Sequence, residues 1–254
     1  MRIINFSADG IKSAESKGFY DWVKSQDADF ICIQDLRAQE YDLGNAFFPD
    51  GYHAYFFDTF DRSNGVAIYT RRLPKAIMTG LGFNDSDHEA RYIQADFEEI
   101  SIGSILVPPS SLDDPLSMER KANFLSQLHD HLEKILHKRR YFIFAGNWQI
   151  AHSINDIQQH NDHERPGFLL SERRWLDEVT HQLGYIDAFR EANSDDDEFT
   201  WWPDENRQQG ERIDFQLASP GLKASIEYGT IYKKQVFSSH APVIMDYDYH
   251  FDEE

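Results

Sequence analysis

Between residues 52 and 107, five short apolar runs follow one another with only turn residues between them. They read YHAYFFD (52–58), GVAIYT (65–70), KAIMTGLGF (75–83), RYIQADF (91–97) and ISIGSILV (100–107). Runs of this length, rich in β-branched and aromatic residues and bounded by turns, predict strands. So many strands in close succession exclude a simple doubly wound sheet. Ahead of them lies a strand (2–7), a helix over 10–26 with Ile11, Phe19, Trp22 and Val23 as its inward stripe, and a second strand (28–34). Behind them come a long helix (117–139), a central strand opening on YFIFAG (141–146) and a helix capped by Ser171 and stopped by Gly184. The last strands are 212–218, 223–232 and 241–248. Two mixed sheets packed face to face, with helices outside, bury these runs best. The expected fold class is α/β, a four-layer αββα sandwich forming a single domain over 1–254.

Apolar residues make up 41% of the 254 positions and aromatics 14%, enough for a substantial core. The one cysteine, Cys32, cannot form an intramolecular disulfide and sits among apolar neighbours, so it reads as a small core residue. No stretch reaches the length of a signal peptide or the ~18 apolar residues of a membrane span. A soluble cytoplasmic chain is expected. The formal charge of −19, from 25 basic and 44 acidic residues, is the wrong overall sign for a protein that grips nucleic acid through its phosphates.

Eight segments carry a resemblance in order along the chain: RIINFSADGIKS, ADFICIQDLR, GVAIYT, FIFAGNWQ, GYIDAFRE, FTWWPD, RIDFQLAS and SSHAPV. Together they resemble the exonuclease III / AP endonuclease branch of the endonuclease-exonuclease-phosphatase superfamily, whose fold is the DNase I-like sandwich. LPKAIMTGLGF, ARYIQADFEEISI and PGFLLSERRWLDEV narrow the likeness to one subgroup, the catabolite repression control regulators. That subgroup implies a protein that is not a nuclease. It implies action with the RNA chaperone Hfq on A-rich sites of target mRNAs, blocking their translation.

In the enzymes of this family, hydrolysis needs a hard divalent cation held by carboxylates, a base or orienter for water, and donors for the developing charge. The resemblance places those roles on named positions. The asparagine ending the first strand is Ser7. The metal-binding glutamate is Asp35, shorter by one methylene, and Asp35 is the residual metal candidate. The tyrosine of the middle loop falls at Leu106 or Val107. The aspartate and asparagine of Gly-Asp-x-Asn are Asn147 and Gln149. Asp214 is intact. The aspartate before the last histidine is Ser239, which leaves His240 without the carboxylate expected to orient it. Losing a general base costs ~10²–10⁴ in rate, and losing a carboxylate behind a histidine costs roughly 10⁴ in proteases. No intact catalytic set is therefore expected. Asp214 reads as a partner of a neighbour such as Arg212, and His240 as a core histidine.

His160 and His163 have a spacing that can chelate zinc but no further ligands in a motif frame, so they read as a solvated loop. FTWWPD offers a stacking platform for bases, or one core and one partly exposed tryptophan. In this fold the catalytic face is built from loops at one end. Here those loops carry Asp58, Asp61, Asp113, Asp114, Asp195, Asp196, Asp197, Glu198, Asp204 and Glu205. Carboxylates there repel a phosphate backbone, so DNA is not an expected partner, nor is a membrane. The basic residues Arg71, Arg72, Lys75, Lys138, Arg139, Arg140, Lys233 and Lys234 cluster elsewhere, with the first two runs at the far ends of their strands. They are the expected contacts for RNA or Hfq. The first reading is thus a non-catalytic regulator in an assembly with Hfq and mRNA, with no cofactor. Two others stand beside it: a weak Mg- or Mn-dependent exodeoxyribonuclease III / AP endonuclease using Asp35, Asp214 and His240, and a stand-alone RNA-binding protein.

Overall fold

The computed structural model describes residues 1–159 and 164–251. Strand β1 (Arg2–Ser7) alternates inward and outward side chains, as a strand with both faces buried must. Ile3 enters the core between the sheets, while Ile4 and Phe6 pack outward under helices. Strand β2 (Phe30–Gln34) lies parallel to β1 in the register Ser7↔Gln34, with Cys32 fully buried on the inner face. β3 (His53–Asp58) and β4 (Gly65–Thr70) continue the sheet antiparallel. β11 (Ile226–Ile231) and β12 (Val243–Tyr247) close its other side, giving the order β11-β12-β1-β2-β4-β3.

The second sheet holds β5 (Ala76–Thr79), β6 (Tyr92–Asp96), β7 (Ile100–Leu106), β8 (Tyr141–Asn147), β9 (Ile186–Asp187) and β10 (Asp214–Ala218). Their order is β5-β6-β7-β8-β10-β9. α1 (Ile11–Ser16) and α2 (Phe19–Val23) cover the first sheet, and α3 (Pro115–Ile135) and α4 (Leu170–Asp177) the second. The short α5 (Ala188–Ala192) follows β9 directly. The four-layer expectation is met. No helix among the described residues is long and apolar enough to cross a membrane.

Local chemistry departs from expectation in two places. The helix expected over 10–26 is two short helices, because Gly18 takes φ 87 between them. That left-handed conformation suits glycine and interrupts a helix. The helix expected to be capped by Ser171 begins two residues earlier, at Leu170, with Leu169 as its cap, and Glu172 reaches back to accept the Leu169 N–H at 2.9 Å. Gly184 stops it at φ 78 as expected, after a π-helical turn over Glu178–Gln182.

Polar side chains cross-link the two sheets at one end, and this positions the site. Asn5 Nδ2 donates to the Gly146 carbonyl at 2.9 Å, and Gln34 Nε2 to Ser104 Oγ at 2.9 Å. Gln216 donates to the Ile3 carbonyl and accepts from the Tyr247 hydroxyl. Each of these amides is fully buried. Each amide nitrogen has a partner, while Asn5 Oδ1 and Gln34 Oε1 have none; the donors fix one register, since a slip would leave them unpaired at a cost of about 1–3 kcal/mol each. The carboxyl ends of β1, β2 and β8 and the start of β10 therefore meet.

Candidate active site

Every family position identified from the sequence converges at that end. Ser7 closes β1, Asp35 follows β2, Asn147 closes β8, and Asp214 opens β10 directly opposite Asn147. Asn147 Nδ2 donates to Ser7 Oγ at 3.0 Å, while its Oδ1 accepts the Gln149 N–H at 3.2 Å. Gln149 itself sits at φ 56, held there by the Lys121 ammonium, which donates to its carbonyl at 2.7 Å. Leu106 and Val107, at the end of β7, are buried and apolar.

The histidine differs most from its expectation. His240 Nδ1 lies 2.7 Å from Asp214 Oδ2, both residues being nearly inaccessible to solvent. The orienting carboxylate is present, and it is Asp214 rather than the residue before the histidine. Ser239 points elsewhere and donates to Asp9 Oδ2 at 3.2 Å. Asp214 does not pair with Arg212 either, because the Arg212 guanidinium is taken by Asp156 and Asp187, each at 2.7 Å. Thr200 completes the pair by donating to Asp214 Oδ2 at 2.7 Å and accepting the Asp214 N–H at 3.0 Å. A carboxylate on Nδ1 fixes the tautomer and leaves Nε2 for a substrate. Of the two tryptophans, Trp202 is buried, with Arg207 over its ring. Trp201 is half-buried, with its ring centroid 6.2 Å from that of His240.

Asp35 is not free. Arg37 grips it with two hydrogen bonds, Nε to Oδ1 at 3.0 Å and Nη2 to Oδ2 at 2.8 Å. The same guanidinium reaches Asp9 Oδ1 at 2.7 Å. Burial pushes the Asp35 carboxyl above its usual range, and Arg37 pulls against that shift. The residues as arranged do not make a donor set for the divalent cation of the family's enzymes. Both Asp35 oxygens are taken, the position on β8 offers an amide, and no three His, Cys, Asp or Glu side chains among the described residues are placed to hold a metal ion. Sequence reasoning missed Asp9, Arg37 and Thr200. Asp9 had a signal, the Asp-Gly turn just past a strand end. Thr200 lies inside FTWWPD, where the aromatics draw the eye and the hydroxyl does not.

The two basic runs meet far from this site, at the turn between β6 and β7. Lys75 pairs with Glu98, and Arg140 pairs with Asp96 at 3.2 Å and donates to the Glu98 carbonyl at 3.3 Å. Arg71 is paired with Asp27 at 2.6 Å, Arg72 lies over the Phe251 ring and Lys138 over Phe142. Arg139 lines a cavity beside Arg140 and Tyr141. Lys233 and Lys234 do not join them. They follow the end of β11 that pairs with Val243, on the side of His240, and Lys233 pairs with Glu198 of the acidic rim at 2.7 Å. His160 and His163 lie outside the described residues.

With this geometry in view, the relatives correct the functional expectation. An exodeoxyribonuclease of Bacillus subtilis (strain 168) is 26% identical over 254 residues, covering 96% of this chain and 98% of the relative. A DNA-(apurinic or apyrimidinic site) endonuclease of Dictyostelium discoideum is 25% identical over 252 residues, covering 96% and 69%. Among solved structures, the fold matches an AP endonuclease from Archaeoglobus fulgidus with a TM-score of 0.85 at 22% identity, covering 98% of this chain and 100% of that one. A 3'-5' exonuclease from Neisseria meningitidis gives 0.86 at 22% identity, again over 98% and 100%. Named nucleases spanning nearly the whole chain overturn the expectation of a non-catalytic translational regulator. Nothing in the likeness singles out a catabolite repression subgroup. The match to the model of the endonuclease/exonuclease/phosphatase family runs over residues 6–231, so this chain belongs to that family.

Proposed function

We propose that this chain hydrolyses phosphoesters of nucleic acid, the activity class for which its relatives are named. One observation carries the reading: the Asp214–His240 hydrogen bond of 2.7 Å, buttressed by Thr200, at the strand ends where the family positions converge. Asp214 takes Nδ1 and so holds the imidazole in one orientation, with Nε2 left for the substrate. As an imidazolium the ring donates Nε2–H to a phosphoryl oxygen whose charge grows toward the transition state. The half-buried face of Trp201 beside His240 offers a surface for a base or sugar next to that phosphate. The β8 position offers the Asn147 amide, which cannot accept a proton from water, so turnover is slow. The exonuclease and abasic-site activities of the relatives give the substrates to try.

The test is turnover of a duplex with a single abasic site and of a 3'-recessed duplex, with magnesium, with manganese and with chelator. Slow product formation is expected that falls about 10²–10⁴-fold in His240→Ala, with a comparable loss in Asp214→Asn. An inactive protein, or turnover that survives both substitutions, would overturn the reading.

A further inference from the structure

The family's enzymes hold a cation at the carboxylate after β2. Here that carboxylate holds a guanidinium. We propose that Arg37 is the resident cation of this site, occupying Asp9 and Asp35 so that a divalent ion binds there only by displacing it.

Two charge-assisted hydrogen bonds to Asp35 and an ion pair with Asp9 at 2.7 Å hold Arg37. The backbone is shaped to make them. Asp9, Asp35 and Arg37 all take left-handed conformations, with φ of 50, 56 and 48. Non-glycine residues held there are strained and persist only where the surroundings over-determine them. The surroundings do so through backbone bonds that tie the two loops to each other and to the start of β4. Gly10 N donates to Asp35 O at 3.0 Å, Ile11 N to Leu36 O at 2.8 Å, and Leu36 N to Gly65 O at 3.1 Å. The loops after β1 and β2 thus clamp each other, and the clamp aims two carboxylates at one guanidinium.

The charges leave room for competition. Asp9 and Asp35 carry two negative charges against one on Arg37, so the cluster still attracts cations. Asp214 Oδ1, fully buried nearby, has no hydrogen-bond partner. Arginine cannot shed its charge by losing a proton. It leaves only by swinging away, and with 51% of its side chain exposed it has solvent to swing into. Cation loading is therefore set by the guanidinium as much as by the carboxylates.

Manganese binding to the full chain, read by electron paramagnetic resonance without substrate, tests this. Arg37→Gln is expected to bind one manganese ion at least tenfold more tightly than wild type. Asp35→Asn in that background is expected to remove the gain. Arg37→Lys, a point charge that cannot bridge both carboxylates bidentately, falls between wild type and Arg37→Gln. Equal binding by wild type and both single variants, or tight binding that survives Asp35→Asn, overturns the proposal. The proposal takes its catalytic meaning from the hydrolysis proposed above, but its test does not use turnover. Tighter binding in Arg37→Gln with no hydrolysis under any condition would leave the Arg37 assignment standing and overturn the proposed reaction.

Discussion

Arg212 is a large side chain, 1% exposed, and carries a full charge. Its position makes sense from its neighbour two residues on, since there the chain places Asp214 against His240. Nε donates to Asp156 Oδ1 and Nη2 to Asp187 Oδ2, each at 2.7 Å, while Asp156 also takes Arg190 at 2.7 Å. The Arg212 N–H donates to the Asp156 carbonyl at 2.9 Å, so the backbone is pinned as well as the side chain. Burial acts to raise the Asp156 carboxyl, but Arg212 and Arg190 overcome it and hold the group far below the usual carboxylate range. A depressed carboxylate stabilises the fold fully above its unfolded pKa of about 4, and that stability is lost as pH falls toward the folded value. Asp156→Asn leaves two arginines short of a counter-charge, a loss of about 3–5 kcal/mol when one partner of a buried pair is removed. Urea melts at pH 7 should show that gap. It should narrow below pH 4, where the unfolded wild-type carboxyl takes up a proton that the folded one refuses. A gap that stays constant from pH 7 to pH 3 would refute the assigned role.

The strand–loop element over β8 and its exit shows what can and cannot be read from letters. The apolar run 141–144 and the glycine after it are legible as a buried strand reaching the site, because inward and outward alternation needs only sequence. The glycine's reason is not. A Cβ on Gly146 would lie 2.9 Å from the Ile105 carbonyl and clash with the Ile105 side chain on the parallel strand β7. Trp148 then turns wholly inward, stacked on Phe215 at 5.3 Å and donating to the Phe215 carbonyl at 2.9 Å. Its partner lies 67 residues away, so no local pattern announces it. The same holds for Asp214 and His240. Both are visible in the sequence, but their pairing depends on how β10 starts and on the bridge between Trp201 and His240. The break at Gly18 is hidden because the apolar stripe continues across it. Gly146→Ala should cost about 1–3 kcal/mol, the usual range for overpacking a close-packed core. A thermal melt within about 0.5 kcal/mol of wild type would show that β7 and β8 can part there at no expense.

At the scale of the whole molecule, charge sets the terms on which the proposed nucleic-acid substrate approaches. Several rim carboxylates have structural work at the site end. Asp114 accepts the Ser117 N–H at the start of α3, Asp58 accepts the Glu40 N–H, and Asp61 accepts from Ser63. Capping does not remove their charge, though Arg120 stands 3.6 Å from Asp114 and Lys233 2.7 Å from Glu198. The basic runs that hold Arg71, Lys75 and Arg140 lie at the other end and are themselves largely paired with Asp27, Asp96 and Glu98. A polyanion approaching His240 therefore meets a negative field, on a molecule whose net charge is −19. A protein making 6–10 phosphate contacts loses about 10³–10⁵ in affinity between 50 and 200 mM salt, because binding releases counterions. Here few cations stand ready to replace those counterions, and added salt screens repulsion instead of attraction. The expected result is a kcat/KM on nucleic acid that stays level or rises over that range. A fall of a hundredfold or more would mean that basic residues reach the substrate after all, and the distal patch around Arg139 and Arg140 would be the first place to reverse charge.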